Sequence, residues 1–234
     1  MSKEKTENTV KKEKKQKLKR KTTGLDIVSR VITALAAIGV PVAAYFANMF
    51  YYVFESTVFQ VIAAIKGDST DDGSTYGYIS IRKIVEDYIP LLKGLSSEEK
   101  ATDVWAVIEP VKTALICTGV LFAIAILCAV IIFFISCFTN SNKLPLIFSG
   151  IGFVCAFCMV FAFRAFSAPF VAGEITVGDF ISNAIVGALA PYVASISTLN
   201  LSTAWVVMLV IFAGIFIWHG SMLVVSAGEK QSNK

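Results

Sequence analysis

Residues that could do chemistry are few and scattered in this chain of 234 residues. There is one histidine, His219, inside a long uncharged run from Phe180 to Gly228. A single imidazole cannot build an ordinary histidine-rich metal site. In such surroundings its structural reading is a ring bonded to a neighbouring helix or reaching for the interface. Its functional reading is a proton-sensitive or partner-binding group. Cys155-x-x-Cys158 has a redox or metal spacing but stands in an apolar run with no histidine or acid beside it. With Cys117, Cys128 and Cys137 it reads as small apolar packing. The cysteines imply no metal, no cofactor and no disulfide framework.

Charged candidates gather at the ends of apolar runs. Glu55, Glu109, Lys112 and Arg164 fall at one level and form a candidate outer-rim polar cluster. That cluster reads as interfacial anchoring and charge balance, or as the vestibule of a substrate or ion path. Asn48 and His219 are the candidate intramembrane polar residues, and no acid or base lies clearly at mid-depth, which counts against a proton-coupled transporter. Glu55 with Asp179 is the one loose carboxylate pair that a lipid-directed enzyme could use. P-loop, dinucleotide, H-E-x-x-H and G-x-S-x-G patterns do not occur. The expectation is therefore no catalytic site, no cofactor and no enzyme. Asn200-Leu201-Ser202 matches the glycosylation triplet but lies against an apolar run, where an oligosaccharide has little room.

The elements that carry these residues follow from composition. The chain is 56% hydrophobic and 16% charged, against about 45–50% and about 25% in ordinary soluble domains. Its mean hydropathy is +0.69. The excess sits in charge-free runs: Val31 to Phe54, Thr113 to Asn142, Leu144 to Phe163, and Phe180 to Gly228. A membrane span needs roughly 20 such residues. Expected spans cover about 27–54, 113–138, 146–166 and 203–225, with connectors 55–112 and 167–202 and tails 1–22 and 229–234. The fold class expected is all-α: a four-transmembrane-helix bundle with external amphipathic or interfacial helices.

Charge sets the orientation. The first 22 residues hold ten Lys or Arg against three Glu, and basic flanks stay in the cytoplasm. The connector Lys66 to Lys112 carries six basic and nine acidic residues and reads as external. Both termini are thus expected in the cytoplasm of a multi-pass cell-membrane protein. The first tail reads as a disordered topology determinant resting on anionic headgroups, not as a nucleic-acid arm. It is too long and too basic for a cleaved signal peptide.

Within the first connector, the apolar pattern continues through Val58, Ile62 and Ile65, so helix one is expected to run past Phe54. Ile81, Ile84, Val85, Tyr88, Ile89 and Leu92 recur at helical spacing, and Ser96 with Glu99 forms a helix-start pattern. Phe180 to Leu199 reads as an outer-leaflet helix, a re-entrant hairpin or a fifth span. Gly150 and Gly152 suit close helix approach. The function expected is that of a non-enzymatic accessory or assembly subunit. It would bind the bilayer and a membrane protein partner, or itself. The alternative is a homo-oligomeric channel or small transporter lined by Ser29, Thr33, Asn48, Thr118 and Ser136.

Overall fold

The computed structural model describes residues 24–56, 74–88, 101–139, 141–176, 179 and 195–232. Four helices dominate: α1 (Gly24–Phe46), α2 (Ala101–Phe138), α3 (Lys143–Val171) and α4 (Thr203–Ser232). Each is long and apolar enough to cross a membrane, over Asp26–Phe46, Ala106–Phe138, Lys143–Val171 and Thr203–Val225. Their outward faces are apolar too. Leu35, Phe161, Val210 and Ile217 are each more than 60% exposed. A water-soluble bundle would carry polar residues there.

The helices pack α1 on α2, α2 on α3, α3 on α4, and α4 back on α1. Their inward stripes repeat at three- and four-residue steps: Ala37, Val40 and Ala44; Ala125, Ala129 and Ile132; Ala156, Met159 and Phe163; Met208, Phe212 and Ile215. Five of these twelve are alanines, which let the helix backbones approach closely. Gly152 shows the effect. A Cβ there would lie 2.5 Å from Cε1 of Phe212, so the bare backbone is what admits that ring to the core. Gly173, at φ +74°, ends α3. Its N–H donates to Phe170 O, and Glu174 N–H donates to Pro169 O, a left-handed glycine closure.

The all-α expectation is corrected by a three-stranded antiparallel sheet. β1 (Asn48–Glu55) lies between β2 (Ser74–Ser80) and β3 (Ser195–Leu201). Helix one does not run past Phe54: it stops at Phe46, and the chain turns into β1. The run Met49-Phe-Tyr-Tyr-Val-Phe54 is aromatic and β-branched, which suits a pleated, half-buried surface. A bulge between Asn48 and Phe50 lets Met49 and Phe50 both join the core formed with Met159 and Ala204. A regular strand would send them to opposite faces.

The amphipathic stretch starts as expected at Ile81. Ser80 caps it, accepting from Lys83 N at 3.2 Å, and it turns π-helical over Ile84–Tyr88. Ile89, Leu92 and the Ser96/Glu99 start pattern lie outside the described residues, as do 180–194. Residues 195–199 are strand, so no helix extends through Leu199.

The sheet sits where α1 ends and α4 begins. Ser202 N donates to Met49 O at 2.8 Å. Phe50 stacks on Phe163 of α3, ring centroids 5.1 Å apart. Trp205 Nε1 donates to Ala156 O at 2.7 Å, tying α4 to α3. This is the sheet end of the molecule. At the opposite end, the turn end, α2 finishes at Phe138, α3 starts at Lys143 and α1 begins.

Candidate functional site

At the sheet end, β1 supplies a platform with two different faces. Phe50 faces the helices, so alternation turns Tyr51 away from them, and its ring lies 5.2 Å from that of its cross-strand neighbour Tyr78. Tyr78 is exposed, and so is Asn200, which pairs with Tyr51 on the other side. Tyr52 pairs with Gly77, and its ring occupies the space a Cβ of residue 77 would need. The glycine therefore leaves room for the Tyr52 ring against β2. The result is a sheet, fixed to two helices, that carries the exposed Tyr78 against the half-buried Tyr51. Tyrosine gives large rigid contact area with a polar tip, which suits both protein interfaces and the wet edge of a bilayer.

At the turn end, the inward stripes finish in polar residues. Ser29 and Thr33 of α1, Ser136 of α2, Ser149 of α3 and His219 of α4 are all buried. Thr33 Oγ1 lies 2.8 Å from Ser29 O and 3.0 Å from His219 Nε2. Its one hydroxyl proton goes to the Ser29 carbonyl, so Nε2–H is the donor toward Thr33 and the tautomer is assigned. One residue earlier, Trp218 Nε1 donates to Ser29 Oγ at 2.7 Å. One helical turn of α1 thus clamps two successive residues of α4. Arg30, between them, reaches the other way, donating through Nε to Ser136 O at 2.8 Å and through Nη2 to Cys137 O at 2.7 Å. These carbonyls belong to the last turn of α2, which no later helical N–H can satisfy. A guanidinium there also opposes the negative end of the helix dipole. The side chains of Thr118 and Ser149 bond their own helix backbones, whereas among the described residues Ser136 Oγ and His219 Nδ1 are buried without a partner.

The expected site residues divide. Glu109 and Lys112 pair at 3.3 Å, both exposed, on α2. Glu55 is exposed at the end of β1, where its carbonyl accepts from Ser195 Oγ. Arg164 is exposed on α3, and neither it nor Glu55 joins an ion pair among the described residues. So the cluster is one surface pair and two separate charges. Asp179 accepts from Thr176 N and Thr176 Oγ1, a local turn contact. Asn48 opens β1 and is exposed, beyond the end of α1 rather than within a span. His219 is within α4, bonded across to α1. Ser29, Thr33, Thr118 and Ser136 are buried inside the protomer and so are not presented to a lumen between copies. Reasoning from sequence missed Arg30 as a helix cap and Trp218 as a clamp. Arg30's place six residues into a helix that starts at Gly24 was the available signal.

Searches against protein-family models, curated proteins and solved structures matched nothing to this chain.

Proposed function

We propose that the chain is a non-enzymatic, four-span membrane subunit that assembles with a membrane protein partner. Its sheet end would face outward and its turn end the cytoplasm. The observation that carries the reading is the platform. Strands from two connectors, separated by the whole of α2 and α3, are joined into one sheet and held on α3 and α4 by Phe50, Met49 and Trp205. A rigid aromatic surface of that kind suits docking, because little side-chain entropy is lost when tyrosines are covered. The orientation rests on the ten basic residues preceding α1, with Arg30 and Lys143 at the same end.

Two measurements test this. In a background with the native cysteines replaced, Glu55→Cys should react with an impermeant maleimide in intact cells, and Ser141→Cys only after permeabilisation. The reverse pattern inverts the topology. Gentle extraction and native mass measurement should then give a heteromer, which Tyr78→Ala weakens while the helical content stays unchanged. A monomer or a discrete homo-oligomer refutes the subunit reading.

A further inference from the structure

A groove between α3 and α4 at the turn end belongs neither to the platform nor to the polar clamp. Leu146, Ile147, Gly150, Ile151, Val154 and Cys155 of α3, with Phe216 of α4, line an open apolar depression of about 450 Å³. Gly150 forms its floor, for a Cβ there would stand 3.3 Å from Cε2 of Phe216. From Leu146 to Val154 the groove runs about 12 Å at about 1.5 Å per residue. That is most of one leaflet, half of a hydrocarbon core about 30 Å thick.

The lining residues recur on one helix face, and one step further toward the turn end that face carries Lys143. Lys143 is exposed and forms no ion pair among the described residues. A cation at the interface thus stands one turn below a slot for a hydrocarbon chain. Any apolar groove on a span is covered by lipid tails. The fixed charge in line with this one gives it a preference among headgroups.

We propose that Lys143 and the α3–α4 groove bind one anionic glycerophospholipid of the cytoplasmic leaflet. The acyl chain lies along Gly150 and Phe216, and the phosphate is on the Lys143 ammonium. The proposal rests on the four-span orientation given above. That orientation fails separately if the chain is released by carbonate extraction or the maleimide pattern is inverted.

The full chain in mild detergent, offered equal phosphatidylglycerol and phosphatidylcholine in mixed micelles, is read by native mass spectrometry. One phospholipid should be retained, with phosphatidylglycerol favoured about fivefold, as one lysine near an anionic surface gives. Lys143→Gln should bring the ratio close to one while a lipid is still retained. Val154→Trp, at a position already 57% exposed, should fill the slot and lower retention of both lipids severalfold. Ile151→Phe gives the same test should Val154→Trp not fold. A wild-type ratio near one, a ratio unmoved by Lys143→Gln, or retention unmoved by the slot variants overturns the proposal. So does a dimer that Val154→Trp dissociates, since that assigns the groove to a second copy.

Discussion

Gly152→Ala tests the central packing most directly. The added methyl would stand 2.5, 2.7 and 2.8 Å from Cε1, Cζ and Cδ1 of Phe212. Carbon atoms rest about 3.5–4.0 Å apart, so the ring must retreat by about 1 Å. It has little room to do so, because Phe212 is fully buried among Ala37, Val40, Ala129 and Ile132 in one close-packed cluster. Overpacking of this kind costs about 1–3 kcal/mol. The assay is SDS titration of the detergent-solubilised chain, followed by far-UV circular dichroism. A double-mutant cycle isolates the cause. Phe212→Leu destabilises by itself through the cavity it leaves. In that background, however, the methyl of Gly152→Ala meets no ring and should cost less than about 0.5 kcal/mol, which marks the two sites as coupled. Equal cost in both backgrounds, or no cost in the wild type, refutes the idea that Gly152 is required to seat Phe212.

Thr33→Val removes the acceptor of His219 Nε2–H and should cost about 0.6–1.7 kcal/mol in the same titration, with Thr33→Ser close to wild type. Arg30→Met should lower stability by about 1–2 kcal/mol, since two terminal carbonyls of α2 lose charged donors. Arg30→Lys should recover only part of it, because an ammonium lacks the fork that reaches both. Gly77→Ala should displace the Tyr52 ring and speed proteolysis at the sheet end without changing helical content. Trp205→Phe should cost about 1 kcal/mol by deleting its bond to Ala156 O, again read from the SDS midpoint.

The four long helices were legible because hydropathy is local: a run of about 20 uncharged apolar residues, long enough to cross a membrane, must satisfy its backbone within its own helix. The sheet was not legible, for two reasons. The aromatic run Met49 to Phe54 continues the hydrophobicity of α1, so composition alone draws no boundary. Second, β1 meets β3 across a sequence separation of 140 residues at Glu55 and Ser195, and no local periodicity reports such a partner. His219 was legible as a ring bonded to another helix. Its partner Thr33 was not, because which helices adjoin depends on the packing of all four. The expected rim cluster grouped residues by depth along the spans. Depth does not fix position around the bundle, and Glu109 and Lys112 pair only because they share a helix turn.

The central place of β1 also imposes an order of events on synthesis. Its second edge has no strand to pair with until β3 has been made and α4 has begun, some 140 residues later. At about 5–20 residues per second that is a wait of roughly 7–30 s. Throughout it, an edge bearing Phe50, Tyr51 and Tyr52 offers unpaired backbone to whatever strand is nearby. Until β3 is in place, the nascent chain therefore presents a hazard that the finished molecule has closed off. A ribosome stalled before Ser195 would leave a product fit for strand pairing with another copy, or for capture by quality-control proteases.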